Sequence, residues 1–407
     1  MTKTIELPLH LIASGRSVPV DLLDARGNLL MRKGSTITSE QHKEQLAAHG
    51  ACVREADFKA WQRSYDRLIN RMLRDGESLD AMAATPMPSV IEDSDYAVGF
   101  DIQGGWLDVH EVHKALLYQG PQAKSPLNRI ESVHSRAAEL LRSDADGALF
   151  TLFQALPDLS VSYGAKHALL AAVLVELTAH KLQLSELLRP VLFRAALLMN
   201  IGMARAQDEM ARQTDKPSAE QLQLIEEHPA RGVEILRGFG VIDEDLLDIV
   251  AWHHAPQRGS ATASLVECKR IVHVADQFIA MMSTRATRDA RSAPGAVKSL
   301  VLDASDDSAR VGGAMTTAVG FYPPGTYLSL ANGETAVSAR RGASAHTPVV
   351  VSLLRADGLA MHQALARDTA DKAFAARAPV AADRMKMTVN RRTIDAALAR
   401  MATSVGA

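Results

Sequence analysis

The sequence predicts a mainly α protein: a helical bundle in the middle of the chain, a small mixed β/α module ahead of it and a small β-rich appendage behind it. Three observations carry that prediction. From Leu127 to Trp252 apolar residues recur at three- and four-residue spacing. Between Val18 and Gly34 two short runs alternate about a turn, and beyond residue 311 the pattern changes to strand-like runs separated by Gly, Asn and Pro. The boundaries that follow are 1–80 for the N-terminal module, 81–126 for a linker and irregular segment, 127–310 for the helical domain and 311–407 for the appendage with a C-terminal helix.

In the N-terminal module Val18-Pro19-Val20-Asp21-Leu22-Leu23-Asp24 reads as a strand, Ala25-Arg26-Gly27-Asn28 as a turn and Leu29-Leu30-Met31-Arg32-Lys33-Gly34 as the returning partner. Ser39 is placed to cap a helix beginning at Glu40, and Gly50 ends it before a short strand, Ala51-Cys52-Val53. Ala60 to Arg74 has helical spacing, and Thr85-Pro86-Met87-Pro88-Ser89 marks a linker. Between Ser94 and Pro126 the pattern predicts a short hairpin and a helix from Leu107 to Tyr118. That helix carries Asp108, His110, Glu111 and His113, which read as an exposed polar face because no partner ligands stand near them in the sequence.

In the helical domain the apolar period predicts helices over Ile130–Leu141, Ala148–Leu156, Ser162–His180, Ser185–Met199, Ser218–Glu227, Ala230–Phe239 and Leu246–Trp252. Ser218 with Gln221 three residues on is a capping box. A bundle of these helices brings His167, Asn200, His228 and the His253-His254 pair to one end, with Asp276 on the following helix. Imidazoles and a carboxylate gathered in this way suggest a metal site. The plainer alternative is a set of buried histidines that only hydrogen-bond. Three strand-like runs follow, Gly320–Leu330, Gly333–Ala339 and Val349–Leu354, and the tail has a helical pattern around Ile394, Leu398 and Met401.

The stretch from Tyr163 to Arg288 resembles an HD-GYP domain, the HD-superfamily branch that hydrolyses cyclic di-GMP with a cluster of two or three metal ions. Tyr163-x-x-x-His167 matches its first ligand helix, and Leu197-Leu198-Met199-Asn200-Ile201-Gly202 occupies the place of L-L-H-D-I-G. His228-Pro229-Ala230-Arg231-Gly232 matches H-P-x-x-G, His253-His254 the H-H pair, and Ile271 to Phe278 the I-x-x-V-A-D-x-F stretch. Residues 18–34 resemble the hairpin of an accessory module found ahead of some such domains. The run from Tyr322 to Glu334 is similar to an appendage found behind some of them.

The departures bear on activity. The resemblance implies that the family's His-Asp doublet fills one metal and bridges two; this chain has Met199 and Asn200, a thioether and a neutral amide. Divalent ions of the hard or borderline kind hold a thioether poorly. The Lys that follows the doublet is Met203 here, with Arg205 close by, and Ala255-Pro256-Gln257-Arg258-Gly259-Ser260 follows the histidine pair with no G-Y-P. By resemblance, His228, His253 and His254 belong to one metal position with Asn200 as a weak fourth ligand, and His167 and Asp276 belong to the other. Arg285 and Arg288 match the basic residues of T-S-x-R-P-Y-R, which hold nucleotide phosphates. The expectation is a catalytically degenerate regulator in bacterial cyclic di-GMP signalling, responsive to the nucleotide or to a protein. The alternatives are a weak metal-dependent phosphodiesterase with one ion of the Fe, Mn or Zn class, and a scaffold with no nucleotide ligand.

Composition sets the remaining bounds. A net charge of -2 over 407 residues gives no general pull toward nucleic acid or an anionic membrane. The two cysteines, Cys52 and Cys268, are too few and too far apart for a disulfide framework, which suits a reducing compartment. No apolar run is long enough to span a bilayer, and the first residues lack a secretory pattern, so a cytoplasmic location is expected. Expected partners are cyclic di-GMP, a protein of the same pathway and a second copy of the chain.

Overall fold

The computed structural model describes residues 4–7, 12, 14–74, 85–89, 91, 102, 104–159, 162–284, 289–302, 306–385, 389 and 391–405. The chain divides into two compact units, 1–99 and 100–407.

The first unit contains β1 (Thr4–Glu6), β2 (Leu22–Leu23), β3 (Leu29–Met31), α1 (Glu40–Ala48), β4 (Cys52–Arg54) and α2 (Glu55–Arg74). Its strands form an antiparallel sheet in the order β1-β4-β2-β3. The expected turn is closed by the Asp24 carboxylate, which accepts from the backbone of Arg26 and Asn28 at 2.8 Å each, while Gly27 takes the left-handed conformation (φ +83). Ser39 caps α1 by accepting from His42 N at 3.1 Å. One expectation is corrected: the Pro-rich stretch read as a linker is docked. Trp61 Nε1 donates to the Pro88 carbonyl at 2.8 Å, and Met87 and Ile91 lie in the core with Trp61 and Val53. Prolines exclude regular secondary structure there, but not packing.

The second unit contains α3 (Trp106–Gln119), α4 (Pro126–Ser143), α5 (Ala145–Ala155), α6 (Tyr163–Lys181), α7 (Leu188–Leu198), a 3-10 turn (Ile201–Met203), α8 (Ala204–Arg212), α9 (Ala219–Gly238), α10 (Glu244–Trp252), α11 (Ala263–Met282), α12 (Ala293–Leu302) and α13 (Asp306–Val319). The axis is α6. Residues 163–175 are buried without a break, Lys166 and His167 included, so this stretch is enclosed on all sides. It packs against α7, α11 and α13, with α3, α5 and α8 also touching it. No helix among the described residues is long and apolar enough to cross a membrane.

Three sequence expectations change here. The boundaries at 126 and 310 cut through packed structure, because α3 lies on α4 and α6, and α13 runs across position 310 onto α6. The helices expected either side of Pro229 are one continuous helix, α9. The histidines expected on an exposed face of α3 are buried, His110 at 6% exposure and His113 at 0%. Their helical positions explain this: His113 is four residues from Val109 and three from Leu116, on the face that packs inward. The hairpin expected ahead of α3 lies outside the described residues.

The appendage is an antiparallel sheet of β5 (Tyr327–Leu330), β6 (Thr335–Arg340), β7 (Val349–Leu354), β8 (Ala360–Asp368) and β9 (Ala376–Val380), followed by α14 (Arg391–Val405). The order is β8-β7-β6-β5-β9. Val337, Ala339, Val351 and Leu353 pack against Ile394, Ala397 and Leu398 of α14 and against Phe150 of α5. The sequence did not predict β8 and β9, which are poor in β-branched residues and are recruited as edge strands by pairing with β7 and β5.

Burial and the neighbouring His110 push the His113 imidazole down to about 3. The unfolded chain takes up a proton on this residue near its ordinary pKa, whereas the folded chain keeps it neutral until far lower pH. Stability therefore falls as pH drops from about 6.5 toward 3. Replacing it in His113→Leu should shrink the stability lost between pH 7 and pH 4.5 by about 2 kcal/mol. Denaturant melts of parent and variant at the two pH values measure this, and equal losses would refute it.

Candidate metal centre

His228 sits inside α9, directly before Pro229. Proline has no N–H, so the carbonyl four residues back, that of Ile225, loses its helical donor. His228 Nδ1 donates to that carbonyl at 2.6 Å. His253 closes α10, where terminal carbonyls are left unpaired, and its Nδ1 donates to Val250 O at 2.8 Å. A carbonyl only accepts, so both Nδ1 atoms carry the proton and both Nε2 atoms are bare. Those bare nitrogens face each other at 3.4 Å.

His254 completes the group. Its ring centroid lies 4.1 Å from that of His253 and 5.2 Å from that of His228, and ligand nitrogens of the three lie within 4.8 Å of one another. His228 and His253 are buried while His254 is exposed, so the cluster opens to solvent on one side. Burial pushes the imidazole of His228 down to about 4 and that of His253 to about 3, leaving both neutral at pH 7, the form a metal binds. Metal–nitrogen bonds of about 2.0–2.1 Å around a tetrahedral ion set two nitrogens roughly 3.3 Å apart. The spacing here fits that. Asn200 adds a second indication: its side chain is buried, and neither its oxygen nor its nitrogen has a hydrogen-bond partner.

His167 and Asp276 form a different arrangement. His167, in the first turns of α6, places Nε2 at 2.8 Å from Asp276 Oδ1, and its Nδ1 is buried without a partner. Burial alone would raise the Asp276 carboxyl, but the His167 hydrogen bond and the surrounding histidines hold it well below the usual carboxylate range. Asp276 thus occupies one nitrogen of His167 and leaves the other without a partner. Met199 is fully buried, and Arg205, the cation near the position of the family's Lys, is turned onto α3, with Nε donating to Tyr118 O at 2.8 Å. Arg285 and Arg288 lie outside the described residues.

The surroundings explain several sequence choices. A Cβ on Gly202 would lie 2.2 Å from His228 O and 2.9 Å from Gly232 N, so only glycine lets this turn cross α9 at the ligand. The segment after His254 is tied down by Lys269, which is fully buried: its Nζ donates to Asp248 Oδ2 at 2.9 Å and Ser260 O at 3.0 Å, and also reaches the Arg258 carbonyl. Sequence reasoning did not find Lys269, Asp248, or a further pair on α11, His273 and Gln277. The signal for that pair was their i, i+4 spacing beside Asp276.

A helical bundle that gathers three histidines with ligand atoms within 4.8 Å of one another defines a helical domain able to hold a metal ion. Residues 152–309 match the sequence model of the HD domain family, in agreement with the resemblance to an HD-superfamily domain. Domains of this family bind divalent metals. Among solved structures, the chain is similar to an HDG"Y"P protein from Bdellovibrio bacteriovorus, with 14% identity and a TM-score of 0.42 over 76% of this chain and 98% of that one. None of the curated proteins compared with this chain matches it.

Pro229 can be tested directly. In Pro229→Ala the restored N–H competes for Ile225 O, so His228 should shift from the pure Nδ1–H tautomer to a mixture. Long-range 1H–15N spectra read this, and an unchanged tautomer would remove proline from the account.

Proposed function

We propose that this protein is a catalytically degenerate HD-GYP-like regulator of bacterial cyclic di-GMP signalling, holding one divalent ion of the Fe, Mn or Zn class at His228, His253 and His254. The observation that carries the reading is the pair of bare Nε2 atoms 3.4 Å apart, beside a His167 whose Nε2 is already taken by Asp276. When bound, the ion supplies a Lewis acid with coordination positions open toward solvent. His228 and His253 present lone pairs whose direction the backbone fixes, and the Asn200 amide lends a neutral oxygen at most. In a two-metal hydrolysis the second ion shares the charge on the attacking and leaving oxygens. Met199 and Asn200 supply no carboxylate to bridge such a pair, so ligand binding outlasts turnover. The exposed position of His254 favours a second reading, a weak phosphodiesterase working with one ion.

Elemental analysis of protein purified without chelators should give one ion per chain, and the same sample should leave cyclic di-GMP intact. Two ions with turnover would overturn the proposal. Met199→His combined with Asn200→Asp should raise the count from one ion to two; no added metal would sink the idea that the rest of the ligand set survives.

Arg285 and Arg288 are proposed phosphate contacts on their resemblance alone. Titration with cyclic di-GMP should show about tenfold weaker binding for Arg285→Ala or Arg288→Ala, the scale of one charged hydrogen bond. Equal absence of binding in the parent and both variants would leave a purely protein-binding role.

A further inference from the structure

Two adjacent residues rarely serve one ion, because successive side chains on a helix point about 100° apart. His253 and His254 nevertheless bring their rings together at the end of α10, with centroids 4.1 Å apart. Whether both rings face the cluster depends on the peptide unit that joins them, and so on the direction of the His253 carbonyl. That carbonyl stands at a helix C-terminus, where no intrahelical donor remains for it. It accepts instead from His273 Nδ1 on α11, at 2.9 Å.

His273 is itself held. Gln277, one turn further along α11, places its amide Nε2 at 3.0 Å from His273 Nε2. The two contacts agree on a single tautomer, with the proton on Nδ1 for the carbonyl and the lone pair on Nε2 for the amide. The His273 ring also meets the His254 ring edge-on, with centroids 6.3 Å apart. One imidazole therefore touches both the peptide unit and the ring that depends on it. His273 and Gln277 fall on unspecified positions of the I-x-x-V-A-D-x-F stretch, so the family pattern assigns them nothing.

We propose that His273, aligned by Gln277, is a positioning residue for the metal centre: it fixes the peptide unit between His253 and His254 so that both imidazoles address one ion. This rests on the one-metal reading above. His273 is not itself a ligand in this arrangement, since each of its nitrogens is engaged elsewhere. Groups that hold a ligand from behind typically set metal affinity by roughly 10–100-fold.

The test uses the full chain, free of metal, titrated with Co(II) and followed by its visible absorption, with long-range 1H–15N spectra of the same samples. His273→Leu keeps bulk but removes the donor, and its dissociation constant for cobalt should rise roughly 10–100-fold. His273→Asn places an amide N–H near the position of Nδ1 and should recover most of the loss, while Gln277→Leu should lose less than His273→Leu. Equal affinity in the parent and His273→Leu, or no recovery in His273→Asn, would overturn the proposal. An Nε2–H tautomer at His273 in the metal-free parent would also overturn it, whether or not cobalt binds. A parent that binds no cobalt but shows the Nδ1–H tautomer would sink the one-metal reading while supporting the hold on the peptide unit.

Discussion

A buried imidazole keeps a free lone pair only if its other nitrogen has a fixed hydrogen-bond partner, and the site depends on that constraint. In a helical protein such partners are scarce, because nearly every backbone carbonyl is already taken by the N–H four residues on. The chain provides them where helices are interrupted. Pro229 releases the Ile225 carbonyl in mid-helix, and the end of α10 exposes that of Val250. The histidines are found where those carbonyls become available, at one end of the bundle around α6.

The same rule explains why the two halves of the site differ. His228 and His253 each spend Nδ1 on the backbone, so their Nε2 atoms meet with nothing between them. His167 spends Nε2 on Asp276, which leaves its Nδ1 as the buried, unpartnered nitrogen. The residues between these halves, Met199 and Asn200, are buried and carry no charge. Electrostatically, the centre is the two buried, neutral imidazoles of His228 and His253, with His254 at the solvent side and one carboxylate, Asp276, paired to His167. That favours holding a cation over sharing charge between two.

Around the centre, close packing takes the place of chain length. Gly202 lets the turn after α7 lie against the His228 carbonyl, and the buried Lys269, paired with the partly buried Asp248, holds the segment that follows His254. Removing Asp248 would leave the Lys269 charge buried and uncompensated, so this contact fixes the loop more firmly than surface contacts could. The β appendage is tied to the same bundle. Phe150 of α5 enters its core, and Gln154 binds both the Tyr327 hydroxyl, at 3.0 Å, and the Gly325 carbonyl.

The sequence by itself determined the fold class, most helix positions, the N-terminal hairpin and the identity of the three clustered histidines. These follow from local period, turn chemistry and motif order, all of which are written along the chain. It misjudged His110 and His113 because isolated polar residues on a short helix do not declare which face is covered. It took Pro229 for a break, although the helix runs on and His228 beside it donates to the carbonyl that proline frees. It passed over β8 and β9, whose strand state comes from their neighbours. The Nδ1–H tautomers of His228 and His253 come from carbonyls only three residues back in the chain, whereas the His167–Asp276 pair and the hold of His273 on the His253 carbonyl were decided by tertiary structure alone, since they join groups 109 and 20 residues apart.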